Sequence, residues 1–551
     1  MRLLGDWLRD VASREGGRDA FVSFPPGRAP HDPRRMTYAE WDRRSDALAA
    51  GLASLGLGRG DVLALLLPPR PEYALCYLAA AKIGVITTGI NPRFGDAEID
   101  FILRDSGSRV LVAVATHGGR DLGSAVRRLG ARLPALGHVF AVGEGEDDAG
   151  AASRAARDCP RDPQVRVPAT APFAELEARA AGALPPRPDL SPDDVAAIVY
   201  TSGTTGRPKG AAFTFAALDS IRDLRGEMLQ RHGERSLATG TPFSHVGFMS
   251  KIVANVAGAQ TTILLDTFKA RTVLETIEAE RASYVGGVPA QYSLLLMEPE
   301  LERFDLSSLR VGAIGGAPFT PELVRAIRER LGIALVTRYS CTETAVGTGS
   351  RPDDDEERLA TTVGRPSAIV DLRIVDDERR PLPAGEVGEV AIRSPAVMRG
   401  YWNDPEATAA AIDAAGFYHT GDLGVLDTDG FLRLVGRKKE MYIRGGYNVY
   451  PVEVEAALGD HPDVAQVAVI GVPDPVLGER GVAFVVPRAG VAAPDREAVR
   501  AFLEGRVADY KAPDRVVVRD ELPLTPGMKV DKPALRAIFD AAIAANAKTG
   551  A

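Results

Sequence analysis

The ten residues from Thr201 to Gly210, Thr-Ser-Gly-Thr-Thr-Gly-Arg-Pro-Lys-Gly, carry four hydroxyls (Thr201, Ser202, Thr204, Thr205), three glycines (Gly203, Gly206, Gly210) and two cations (Arg207, Lys209). Glycine backbone turns readily to positive φ and comes close to a ligand, so successive N–H groups can form a concave anion nest. Hydroxyls add neutral donors, and the cations match a polyphosphate. The spacing is not the Walker pattern, because Arg207 and Pro208 separate Gly206 from Lys209 and a glycine follows the lysine. A solvated Gly/Thr turn is the bland alternative, and the length of the run is what speaks against it.

Other residues able to do chemistry sit further along in short Gly- and Pro-rich settings. His245 lies in Gly240-Thr-Pro-Phe-Ser-His-Val-Gly-Phe248, Gly316 to Pro318 close Ala313-Ile-Gly-Gly-Ala-Pro318, and Glu343 ends Tyr339-Ser-Cys-Thr-Glu343. Asp422 follows His419-Thr-Gly, Arg437 and Lys439 lie in Gly436-Arg-Lys-Lys-Glu440, and Lys529 follows Leu522-Pro-Leu-Thr-Pro-Gly-Met. Each alone has a plain reading as a structural histidine, a tight turn, a solvated glutamate or a terminal lysine. One compositional bias helps. Of 66 basic residues only ten are lysine, so Lys209 and Lys529 mark places where an ammonium rather than a guanidinium is called for.

Taken in order, these motifs resemble the signature of the adenylate-forming superfamily of acyl-CoA synthetases, adenylation domains and luciferases, over nearly the whole chain. The resemblance implies ATP, Mg²⁺ and coenzyme A as cofactors. It places the β- and γ-phosphates on Thr201–Lys209 and one wall of the adenine site on Gly316, Ala317 and Pro318, with Tyr339 stacked nearby. Ser340 lies in the same nucleotide-binding motif. Thr342 would bond the α-phosphate, and Glu343 with Thr201 would bind Mg²⁺. Asp422 and Arg437 would hold the ribose, and His245 would line the acyl pocket. Lys439 would be the hinge of a small mobile domain, Gly445 and Gly446 would flank the pantetheine tunnel, and Lys529 would be the catalytic lysine. Two positions depart from the family pattern: Ser340 and Met528 stand where glycine is usual.

The elements that must position these groups can be read from periodicity. Val195–Tyr200 is a short apolar strand feeding the Gly/Thr run, and Thr37-Tyr-Ala-Glu40 is a capping box opening a helix through Leu55. Asp61–Leu67 reads as a buried strand, residues 71–82 as a helix and Val85–Ile90 as a strand, which is βαβ patterning and hence a largely parallel sheet. Residues 143–192 read as a surface excursion, partly helical near Ala174–Ala180. Val464–Val472 and Val482–Val486 read as strands and Asp495–Phe502 as a helix. The expected fold is α/β: a large N-terminal domain of layered sheets with flanking helices over 1–437, a hinge at 438–439, and a small mobile α+β lid over 440–551.

At 551 residues the chain holds more than one domain. Its 45% apolar and 25% charged composition is that of an ordinary globular protein, and a net charge of 66 − 74 = −8 gives no sign of a nucleic-acid surface. The first ten residues carry charges where a signal peptide needs apolar ones, no stretch has the length of a membrane span, and three cysteines fit neither a disulfide framework nor a metal cluster. A cytoplasmic enzyme is expected, with a homodimer left open.

The chemistry implied is adenylation of a carboxylic acid followed by thioester formation with CoA. Ser244 and His245 stand where amino-acid-activating relatives use an Asp, so a medium-chain, alicyclic or aromatic acid is expected. Loading of a carrier-protein phosphopantetheine, a luciferase-like oxygenase and a non-catalytic nucleotide-binding relative are the alternatives.

Overall fold

A computed structural model describes residues 3–25, 27–130, 132–143, 170–180, 182–201, 208–230, 235–239, 243–316, 319–525 and 529–549. Two large sheets dominate the first 400 residues. One has eight strands in the order Gly400–Tyr401, Lys209–Thr214, Val195–Thr201, Ile86–Gly89, Val62–Leu66, Val110–Val114, His138–Val142 and Thr170–Pro172. From Val195–Thr201 to Thr170–Pro172 every pairing is parallel, as the βαβ pattern requires, and only the edge formed by Lys209–Thr214 and Gly400–Tyr401 is antiparallel. All five residues of Val62–Leu66 are buried, which is why that strand is apolar on both faces.

The second sheet has nine strands, with Tyr284–Gly287, Val311–Gly315 and Ala334–Tyr339 adjacent and parallel. The helices Leu4–Glu15, Tyr38–Ser54, Pro71–Lys82 and Val246–Gly258 contribute to one continuous apolar cluster that also takes residues from both sheets. Thr37 caps its helix as expected, its hydroxyl accepting from Glu40 N–H at 3.2 Å. Across the core, the fully buried Tyr38 hydroxyl donates to the Gln260 carbonyl at 2.6 Å.

A four-stranded antiparallel sheet follows, in the order Asp371–Val375, Gly388–Arg393, Tyr418–Leu426 and Leu432–Arg437. The chain beyond it builds a smaller α+β unit with its own apolar clusters. Gly478–Pro487 lies at the centre of its five-stranded sheet, and the helices Pro451–Gly459, Arg496–Leu503 and Lys532–Thr549 accompany it. No helix of the described residues is long and apolar enough to cross a membrane.

One stretch departs from its sequence reading. Thr170–Pro172 is not part of a surface excursion but pairs with His138–Val142 at the sheet edge, and the helix after it, Phe173–Ala178, buries Phe173 and Leu176. A proline is tolerated there because an edge strand has one free side. The rest of the stretch up to residue 169 lies outside the described residues.

Lys82 gives this core a stability test. Its ammonium is almost fully enclosed and meets Asp42 at 2.7 Å, Asp46 at 2.6 Å and the Ser45 hydroxyl at 2.8 Å. Replacing it by methionine leaves two carboxylates facing each other, and breaking a buried pair in this way costs about 3–5 kcal/mol. Denaturant unfolding of Lys82→Met is expected to show that loss, with part of it restored by adding Asp42→Asn. A loss under about 1 kcal/mol would contradict the buried-cation role.

Candidate active site

Three neighbouring parallel strands end at Gly287, Gly315 and Tyr339, so the segments after them emerge side by side at one sheet edge. Ligands of open α/β sheets bind beyond such carboxyl ends. Gly316 follows directly with φ +83, a conformation that suits glycine, and a β-carbon there would lie 3.9 Å from Lys529 Cε. The small unit is therefore docked with its lysine against this edge. Ala317 and Pro318 lie outside the described residues, as do Ser202, Gly203, Thr204, Thr205 and Gly206 of the Gly/Thr run and Gly527 and Met528 before Lys529.

What flanks the Gly/Thr run is clear. Thr201 and Lys209 face each other in the last pair of an antiparallel ladder, and the Thr201 hydroxyl donates to the Lys209 carbonyl at 3.4 Å. The two strands that flank the run are thus paired up to its edges. Tyr200, one residue earlier, donates its hydroxyl to Asp105 at 2.5 Å.

Beyond Tyr339 the chain makes a 3₁₀ turn over Thr342–Thr344 that buries Glu343. Ser340 is exposed and is not among the residues with positive φ, so its backbone does not demand the glycine usual in the family. The Glu343 carboxylate accepts from the Tyr401 hydroxyl at 2.9 Å, and Lys209 Nζ lies 5.0 Å from the centre of the Tyr401 ring. Tyr401 was not singled out by sequence. Its setting, Arg399-Gly-Tyr-Trp402, has no chemical spacing of its own, and its partners lie 58 and 192 residues away.

Asp422 and Arg437 are opposite each other on adjacent strands, and Arg437 Nε donates to the Asp422 carboxylate at 2.9 Å. The Tyr339 hydroxyl donates to the other Asp422 oxygen at 2.8 Å. Tyr339 is held as a phenol, because burial and the Asp422 charge both push its ionisation up. Lys529 faces the same group: it is exposed, yet desolvation by the protein around it and the Arg437 cation pull its pKa down from the usual lysine value, while Asp422 works in the opposite direction. The structure thus brings Tyr339, Asp422, Arg437, Gly316 and Lys529 together.

His245 is the N-cap of Val246–Gly258, and its Nδ1 accepts from Gly247 N–H at 3.2 Å. In the neutral ring the proton therefore sits on Nε2. The imidazole keeps contact with solvent yet is crowded by protein in a deep cleft. This desolvation, with the Lys529 cation adding to it, pushes its pKa down to about 4. A small cavity, with room for about one water, is lined in part by His245, Ser244, Gly89, Phe243, Tyr73 and Tyr77.

Gly445 and Gly446 are not part of this cluster. They form a hairpin turn of the small unit with φ +58 and +88, and a β-carbon on Gly445 would meet only Leu477 of the same unit. Lys438, beside Lys439, donates its N–H to the Gly421 carbonyl at 2.8 Å and its ammonium to Asp377 at 2.8 Å.

Residues 8–402 match the family model for AMP-binding enzyme, and residues 453–529 match that for AMP-binding enzyme C-terminal domain. A feruloyl-CoA synthase from Amycolatopsis sp is 35% identical over 510 residues, 92% of this chain and 95% of the relative. The 3-[(3aS,4S,7aS)-7a-methyl-1,5-dioxo-octahydro-1H-inden-4-yl]propanoyl:CoA ligase of Mycobacterium tuberculosis is 38% identical over 508 residues, 92% and 94% of the two chains. Among solved structures, ATP-bound MatB from Rhodopseudomonas palustris superposes with a TM-score of 0.83 at 28% identity, covering 97% of this chain and 98% of the other.

The lowered His245 pKa has a direct consequence. Lowered from the usual 6.5 to about 4, the ring stays neutral on falling pH until well below the point where an exposed histidine charges. Imidazole NMR of histidine-labelled protein, with the signal assigned through His245→Gln, is expected to show a midpoint near 4. A midpoint near 6.5 would contradict the desolvated setting.

Proposed function

The chain belongs to the AMP-binding enzyme family and is an ATP-dependent carboxylate–CoA ligase working through an acyl-adenylate, and within that chemistry we propose the residue roles, the domain movement and the kind of acid. In the first half-reaction a carboxylate oxygen attacks the α-phosphate of ATP and pyrophosphate leaves. In the second the CoA sulfur attacks the acyl carbon and AMP leaves. The first step brings two anions together, so the protein's share is positioning and neutralisation of charge.

The observation that carries the residue roles is the convergence of Lys529 with Asp422 and Arg437 beside Gly316. Lys529 bridges the incoming carboxylate and the α-phosphate, which Thr342 also bonds. Asp422 and Arg437 hold the ribose, and Tyr339 with Gly316 to Pro318 holds adenine. The Thr201–Lys209 loop grips the β- and γ-phosphates. Glu343, with Thr201 beside the loop, supplies oxygen donors for Mg²⁺. No cluster of three or more metal-ligating side chains occurs among the described residues. A single buried carboxylate suits a hard cation that keeps its waters and shares the nucleotide's phosphate oxygens. When bound, that cation neutralises phosphate charge.

Lys529 cannot serve both half-reactions from one place, since the thiol needs its own approach. The small unit, residues 440–551, turns about 438–439, withdrawing Lys529 and bringing the Gly445-Gly446 turn toward the acyl-adenylate. The Lys438 contacts to Gly421 and Asp377 are those that the turn must break or carry along. With ATP and CoA as co-substrates, the enzyme works in the cytoplasm.

The acyl group is uncharged. The side chains around the water-sized cavity beside His245 are aromatic, aliphatic and hydroxyl without a carboxylate or ammonium, and His245 is neutral, which suits an uncharged acyl group nearby. The names of the two relatives point to an aromatic or alicyclic acid.

Mass spectrometry of the protein with ATP, Mg²⁺ and a set of aromatic and alicyclic acids is expected to show AMP and one dominant acyl-CoA, formed only with CoA. Loss of one preorganised electrostatic group costs about 10²–10³ in rate. Lys529→Ala is expected to lose that much in adenylation and to keep near-normal thioester formation from supplied acyl-adenylate. Equal loss in both half-reactions would contradict the turning of the small unit.

A further inference from the structure

Segment 398–402 fastens the strand Lys209–Thr214, which follows the Gly/Thr run, to the Glu343 turn. Met398 N–H donates to the Glu343 carbonyl at 2.7 Å. Arg399 and Trp402 donate their N–H groups to the Ala212 and Gly210 carbonyls at 2.8 and 2.7 Å, on the strand that leaves the loop. Gly400–Tyr401 thereby forms the edge strand beside Lys209–Thr214, with Tyr401 opposite Ala211.

From that edge the Tyr401 side chain reaches both charged groups. Its hydroxyl is 2.9 Å from Glu343 Oε1, and its ring lies beneath Lys209 Nζ at 5.0 Å. The Tyr418 hydroxyl is 3.4 Å from that of Tyr401. A phenol has one proton to give, so with Tyr401 donating to the carboxylate, Tyr418 donates to Tyr401.

We propose that Tyr401 is a positioning residue that joins the metal-binding carboxylate to the phosphate-gripping lysine, its hydroxyl fixing the Glu343 carboxylate and its ring fixing the Lys209 ammonium. This rests on the roles given above to Glu343 and Lys209. A carboxylate that binds metal is commonly oriented by a hydrogen-bond donor behind it, and loss of such a donor weakens metal affinity about 10–100-fold. An ammonium over an aromatic face is held without being neutralised, so its charge stays available to phosphate. The two halves of the side chain thus serve two different charges on one nucleotide.

The halves can be separated. ATP affinity is measured by calorimetry, once with Mg²⁺ and once with EDTA, for the wild type, Tyr401→Phe, Tyr401→Leu and Glu343→Gln. Tyr401→Phe keeps the ring, so metal-free affinity is expected to stay within about twofold while the tightening given by Mg²⁺ falls by about tenfold or more. Tyr401→Leu is expected to weaken metal-free affinity as well. A purely structural tyrosine would move both measurements together in Tyr401→Phe. That result, or an unchanged Mg²⁺ effect in Tyr401→Phe while Glu343→Gln loses it, overturns the proposal alone. An unchanged Mg²⁺ effect in Glu343→Gln overturns the metal role of Glu343 and the proposal with it.

Discussion

A carboxylate can react with a triphosphate only where positive charge is held between two anions that repel each other. Everything around the cleft follows from placing that charge. Arg437 is committed to Asp422 through a 2.9 Å bond, and Lys529 stands close enough to feel both charges while forming no ion pair among the described residues. Low dielectric strengthens such a charge, and a cation already paired to a carboxylate is less available to a substrate anion. The division of labour between guanidinium and ammonium fits their chemistry: the planar fork anchors a fixed partner, while the compact point charge is free to meet a moving one.

Placement comes from the two sheets and their edges. Parallel strands ending side by side deliver Gly287, Gly316 and Tyr339 to one rim, and the antiparallel edge at Lys209–Thr214 and Gly400–Tyr401 holds the strands that flank the Gly/Thr run. Asp105 ties this edge back to the body of the sheet. It accepts from Tyr200 through its carboxylate and from Trp402 and Asn403 through its carbonyl. The residues flanking the phosphate loop are therefore held by polar contacts from a helix that carries no motif.

The motif residues were legible because the short runs of glycines, prolines and hydroxyls around them carry a family resemblance, although Asp422, Arg437 and Tyr339 themselves sit in strands. The Thr37 cap was within reach of local reasoning, whereas the pairing of Asp422 with Arg437 across a ladder shows only in the fold. Tyr401, Asp105 and Lys82 were not, since what each does depends on partners brought near only by folding. Thr170–Pro172 was misread for a related reason: three residues containing a proline carry a loop signature, and only the neighbouring strand makes them an edge. Ser340, a departure in sequence, is accommodated without strain because its backbone is not in the left-handed region.

The central claim is that an acyl-adenylate forms in this cleft before any thiol arrives. Exchange of labelled pyrophosphate into ATP, measured with Mg²⁺ and a substrate acid but no CoA, tests it most directly. The account predicts acid-dependent exchange in the complete absence of CoA. Acyl-CoA formation with ADP released and no exchange would contradict it, because the acid would then have been activated at the γ-phosphate.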